Sequence, residues 1–140
     1  MLILALLLSI IFLILSLIHI NWVFGGTFGF DASLPTNEEG QRMLNPKPID
    51  SAIVGLGLLL FSVFYFLKAN LIDITLSSWV FTYFGWIIPS IFLLRAIGEF
   101  KYLGFFKTVK STAFARYDTR LYAPLCLCIA LLGYMLKFWY

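Results

Sequence analysis

The sequence predicts an all-α fold, an integral membrane four-helix bundle, and two observations carry that expectation. Of the 140 residues, 61% are hydrophobic and 12% charged, where a soluble domain carries about 25% charged residues. A soluble chain of this length cannot hide so much apolar surface in one core, so lipid must cover the remainder. The apolar residues also fall into four runs, about 1–24, 49–67, 74–96 and 121–139. Each approaches the roughly 20 residues that cross a bilayer as a helix. Residues 1–140 therefore read as a single four-span membrane domain.

The first run has no charge before His19 and no Lys or Arg ahead of it. A cleaved signal peptide needs a basic start and a shorter apolar stretch, so this run is expected to stay in the mature protein. The polar segment 25–47 follows, with Gly25-Gly26 as a tight exit from span one. Thr36 and Glu39 have capping-box spacing, which predicts a short helix there. Pro46 and Pro48 punctuate the approach to span two, and Asp50 or Ser51 can cap it. Gly55 and Gly57 read as packing residues within it.

The link from Lys68 to Asp73 is brief, which predicts that spans two and three are antiparallel neighbours. Pro89 removes one backbone hydrogen bond and predicts a kink in span three. In the polar segment 98–120, a helical reading puts Phe105, Phe106, Val109, Ala113 and Tyr117 on one arc. Lys107, Lys110, Ser111 and Asp118 fall largely opposite, the pattern of an interfacial amphipathic helix, although Phe114 and Arg116 interrupt it. Span four then opens with Leu121 and tolerates Pro124 in its first turn.

Charge sets the expected orientation. With four spans, segments 25–47 and 98–120 share one side of the membrane, and eight of the ten basic residues lie there or at its edge. Only Lys68 and Lys137 lie on the other. By the positive-inside rule both long loops face the cytoplasm and both termini face the non-cytoplasmic side. Trp22, Trp79 and Trp139 fall near span ends, where indoles favour the interface, while Trp86 falls deeper and is expected to pack beside Gly85.

The net charge of +3 does not indicate nucleic-acid binding, because the basic residues flank membrane runs and form no basic domain of their own. Membrane lipids are the expected partners of those residues, the lysines of the 101–110 stretch included. Cys126 and Cys128, two apart on a helix, point to nearly opposite sides and cannot chelate one metal. One histidine with scattered carboxylates makes a poor metal site, so no metal and no cofactor are expected. Nucleotide-binding glycine loops and nucleophile-elbow serines are also absent from the sequence.

The chemistry-bearing residues gather at the expected cytoplasmic edge. His19 lies in the last turns of span one, with Trp22 on the same face. Arg95 and Glu99, four apart, share a face and can pair, and Asp118 and Tyr122 open span four. His19, Glu99 and Asp118 are the candidate catalytic residues; Trp22, Arg95, Phe106, Lys107 and Tyr122 are the candidate ligand contacts. For each a structural role competes: Arg95 with Glu99 as a helix-ending pair, His19 hydrogen-bonded to a neighbouring helix.

Several stretches carry a family resemblance. They are His19-Ile20-Asn21-Trp22 running into Gly25-Gly26-Thr27-Phe28-Gly29, with Ala32 and Pro35, then Arg95-Ala96-Ile97-Gly98-Glu99-Phe100 and Gly104-Phe105-Phe106-Lys107. The stretch from Thr112 through Phe114, Asp118 and Thr119 to Tyr122-Ala123-Pro124-Leu125 completes them. The chain resembles a family of small bacterial four-span membrane proteins catalogued as a domain of unknown function, numbered thirty-nine ninety-five. Glu99 stands where that family is associated with aspartate, a change that keeps the charge and lengthens its reach. The resemblance implies a multi-pass protein of a bacterial inner membrane and names no activity.

Three functions fit these residues. The first is binding of a lipid or another amphipathic small molecule, with Arg95 and Lys107 on an anionic group and Trp22 and Phe106 on its apolar part. The second is a membrane-embedded enzyme with His19 as general base. The third is an accessory subunit that works beside a membrane-protein partner or a second copy of itself.

Overall fold

In the computed structural model, residues 1–74 and 76–139 are described. Helix α1 spans Leu2–Val23, α2 Pro48–Lys68 and α3 Ser78–Ile97. A short helix α4, Ala113–Tyr117, passes through a π turn at Asp118–Tyr122 into α5, Ala123–Phe138. Counting α4 to α5 as one run, four helices among the described residues are long and apolar enough to cross a membrane, which makes the chain a multi-pass membrane protein by length and composition. The first two match the expected runs closely. The third starts at Ser78, later than expected, and Thr75 of that expected span lies outside the described residues.

The helices pack as two antiparallel pairs, α1 with α2 and α3 with α5. Small residues let the first pair approach. Ser9 and Ser62 each donate a hydroxyl to the other's carbonyl, at 2.9 and 2.8 Å, and Ser16 donates to the Gly55 carbonyl at 2.7 Å. A Cβ on Gly55 would stand 3.3 Å from that of His19, so the glycine sets how closely the backbones lie. In the second pair Gly133 sits against Pro89, where a Cβ would come within 2.9 Å of the proline ring, and Ser90 and Tyr134 share a 2.7 Å hydrogen bond. Pro89 stays within one continuous helix.

Spans two and three are neighbours, as their brief link predicts, but they are not one of the close pairs. They touch through bulky rings, Phe64 on Phe81 and Phe84 and Phe61 on Phe92, which hold the backbones apart. Phe12 of α1 joins the pairs, at 5.6 Å from Tyr65 of α2 and 5.2 Å from Phe92 of α3. Trp86, expected beside Gly85, instead packs on Tyr134 and Phe138, while the Lys137 stem covers Gly85.

The loops differ from expectation more than the spans do. No helix follows Thr36: the Asn37 side-chain oxygen accepts from the backbone N–H groups of Glu39 and Gln41, and a tight turn pairs Thr36 with Arg42. The helical turn in this loop is Asp31–Ser33, beside the Asp31–Arg42 ion pair. Asp50 does cap α2, accepting from the Lys47 N–H at 2.7 Å.

The expected interfacial helix is also absent, since 98–112 is irregular and the last helical run begins at Ala113, eight residues before Leu121. Gly98 and Gly104 explain this. Both take positive φ, +82° and +84°, and their backbones nearly touch: a Cβ on Gly104 would fall 2.3 Å from the Ile97 carbonyl oxygen. Only glycine permits that approach, and it folds the loop back onto the end of α3, where the Phe105 N–H donates to Ala96. Thr112 then caps the new helix by accepting from the Ala115 N–H at 3.0 Å.

Candidate functional site

Where α1 ends, α2 begins and α3 meets the π turn, the two helix pairs diverge around a cavity of about 860 Å³. Its wall is mostly apolar and includes Leu15 and Ile18 of α1, Val54 of α2, and Leu121, Leu125 and Ile129 around the π turn and α5. His19, Trp22, Arg95 and Tyr122 bring polar groups and rings to the same wall. Four residues singled out from the sequence, drawn from two helices and a turn, thus converge on one space.

Each is held in place by its neighbours. The His19 Nδ1 lies 2.8 Å from the Leu15 carbonyl oxygen. A carbonyl only accepts, so Nδ1 is the donor of this bond, and Nε2 is the acceptor whenever the imidazole is neutral. The ring leans on Trp22, centroids 4.6 Å apart, and the Trp22 indole donates to the Phe28 carbonyl at 2.7 Å. Tyr122 donates to the Ala32 carbonyl at 2.9 Å, strapping the 25–47 loop to the other helix pair.

Behind Arg95 lies a buried ionic cluster centred on Asp118, which is fully enclosed. One carboxylate oxygen accepts from Arg95 Nη2 at 2.9 Å; the other accepts from the Gly104 N–H at 2.7 Å and from Lys107 Nζ at 3.2 Å. Lys107, 2% exposed, also donates to the Gly104 carbonyl at 2.8 Å and the Thr119 hydroxyl at 2.6 Å. Two cations therefore share one carboxylate. The Arg95 Nη1 is buried and has no hydrogen-bond partner among the described residues.

The expected Arg95–Glu99 pair is replaced by Arg95–Asp118. Helix α3 ends at Ile97 and Gly98 turns the chain, so the four-residue spacing no longer places Glu99 on the Arg95 face. Glu99 is exposed and accepts from the N–H groups of Tyr102 and Leu103, closing the turn after Gly98. Lys107, expected at lipid headgroups, is instead buried against Asp118, because the fold-back at Gly98 and Gly104 carries it inward. Phe106 points away from the cavity, 63% exposed and beside Phe100.

His19 and Asp118 reach the same end of the molecule, but only His19 lines the cavity, with Asp118 acting through Arg95. Sequence reasoning named Gly104, Thr119 and Ala32 only within the family resemblance and gave no role to them or to the Tyr122–Ala32 strap. A positive-φ glycine near a buried lysine is visible only once the loop is folded. Among the described residues no three His, Cys, Asp or Glu side chains come together as a metal site.

The arrangement can accept an anionic group at Arg95, a hydrogen-bond donor at His19 Nε2 and an apolar body on the remaining wall. Neither curated proteins nor solved structures yielded a match to the chain. A family profile does match, over residues 12–133, a stretch containing the cavity wall, the Asp118 cluster, all of α2 and α3 and the larger part of α1 and α5. The chain belongs to the family described as Protein of unknown function (DUF3995).

Proposed function

We propose that this protein binds a lipid or another amphipathic small molecule in the cavity between its helix pairs, with the anionic group of the ligand against Arg95. One observation carries the reading: a buried guanidinium nitrogen without a partner, on an arginine at the wall of a mostly apolar cavity. Buried polar atoms are otherwise almost always satisfied, and ionisable groups within membrane helices mark functional positions by default. The shared carboxylate of Asp118 leaves one positive charge of the cluster for a ligand to balance. Trp22 and Tyr122 supply ring surface, and Lys107 positions Arg95 through Asp118 rather than touching the ligand. The excess of basic residues on the loops beside the cavity supports a cytoplasmic location for it in a bacterial inner membrane, with both termini outside.

Native mass spectrometry of the gently extracted protein tests the proposal. The wild type should carry a discrete bound mass that Arg95→Gln and Trp22→Ala lose and that the exposed-site control Arg116→Gln keeps. A wild type that is always ligand-free, or an Arg95→Gln variant that retains the same mass, refutes it.

A second reading has its own observation. His19 lines the cavity with Nδ1 engaged by the Leu15 carbonyl, which leaves Nε2 as the nitrogen that would act as a general base. Under that reading His19→Gln abolishes turnover of the bound molecule while leaving its binding within about threefold, roughly 0.7 kcal/mol.

A further inference from the structure

Resting on that binding reading, we infer that the occupant is a chain-bearing acidic amphiphile with a hydroxyl donor on its headgroup, and that it enters sideways from the bilayer.

Depth supports the chain. The cavity reaches Leu15, eight residues before the end of α1 at Val23. At 1.5 Å per residue that is about 12 Å, most of the roughly 15 Å half-thickness of a bilayer core. A small water-soluble anion at Arg95 leaves this apolar depth unfilled.

The route follows from what covers each side. Toward water, the 25–47 loop lies across the opening, with its own Leu34 buried and the Trp22–Phe28 and Tyr122–Ala32 hydrogen bonds holding it on both helix pairs. Toward lipid, α2 is not close-packed on α5. The cavity rim there is formed by Val54 and Leu121, which are 47% and 54% exposed. Val54 lies six residues into α2 from Pro48, about 9 Å along the helix, so the slot opens at hydrocarbon depth.

The headgroup follows from the two polar groups left to a ligand. Arg95 lines the cavity and its guanidinium only donates, so it takes an anionic oxygen. With Nδ1 committed to the Leu15 carbonyl, the His19 imidazole offers Nε2 as an acceptor, which takes a hydroxyl or amine hydrogen. A monoacyl glycerol phosphate has all three features: one chain, one phosphate and a free hydroxyl.

Three probes separate the contributions: monoacyl glycerol phosphate, glycerol phosphate without a chain, and monoacylglycerol without a charge. Each is titrated into the detergent-solubilised protein, delipidated first, and bound fractions are read by native mass spectrometry. The chain-bearing phosphate should bind at least about tenfold more tightly than either other probe. Val54→Trp, which plugs the slot, and His19→Ala, which removes the acceptor, should each weaken it by about tenfold at unchanged melting temperature. If glycerol phosphate binds as well as the lipid, or Val54→Trp changes nothing while Arg95→Gln abolishes binding, the lateral route is wrong and the anion site stands. An unaffected His19→Ala removes the hydroxyl requirement. If no probe binds and Arg95→Gln is without effect, both the inference and the binding reading fall.

Discussion

Asp118→Asn is the most informative single change to the buried cluster. The amide keeps the shape of the side chain and one oxygen, so the cavity and packing are nearly preserved. What changes is charge: Arg95 and Lys107 lose their shared anion, and an NH2 group faces either Arg95 Nη2 or the Gly104 N–H and Lys107 Nζ. Removing one partner of a buried ion pair costs about 3–5 kcal/mol. The cost lies in the upper part of that range, because Lys107 is 2% exposed and cannot reach water for compensation. At about 4 °C per kcal/mol for a domain of this size, thermal unfolding in a mild detergent should shift down by about 16–20 °C. Lys107→Met alone should also destabilise. The double variant Lys107→Met, Asp118→Asn should be less destabilised than the sum by at least about 1 kcal/mol, because the first change removes the cation the second strands. Glu99→Gln is the control, with an exposed side chain whose amide oxygen still accepts from Tyr102 and Leu103, and it should remain within about 0.5 kcal/mol of wild type. A melting temperature for Asp118→Asn within 2–3 °C of wild type, about 0.6 kcal/mol on this scale, or strictly additive variants, would refute the view of Asp118 as the charge centre of this end of the bundle.

Gly104→Ala should destabilise by more than about 2 kcal/mol, because it meets both a left-handed backbone and the Ile97 carbonyl; Gly57→Ala, which faces open space, should be near neutral in the same melting assay. Tyr122→Phe deletes the hydroxyl that holds the 25–47 loop at Ala32, at a stability cost of about 1 kcal/mol. Amide exchange across that loop should then quicken several-fold while the interiors of α1 and α2 keep their protection, and unchanged exchange would show that the strap contributes nothing.

The number and approximate limits of the membrane helices were legible in the sequence, because the free energy of placing a helix in lipid is set by about 20 contiguous residues. Capping by Asp50 was legible for the same reason of locality, as was the placing of His19, Trp22, Arg95 and Tyr122 at one end of the bundle, where they stand as polar or amphipathic groups at the ends of apolar runs. The seven-residue spacing of Ser9 and Ser16, matched by Gly55 and Ser62, was present too, and read across the two helices it specifies their antiparallel register. The partners were decided only in three dimensions. Arg95 turns to Asp118 instead of Glu99 because Gly98 ends the helix, and Lys107 is buried because Gly98 and Gly104 bring two stretches of backbone into contact. The close pairs α1–α2 and α3–α5 depend on which small residues meet across helices, and that is a property of pairs distant in the chain. The sequence by itself determined that this protein spans a membrane and at which end its polar chemistry lies, because hydrophobicity acts locally. Only the tertiary structure decided that this end holds a cavity with a half-satisfied arginine on its wall, because cavities and ion pairs are set by how distant backbones approach.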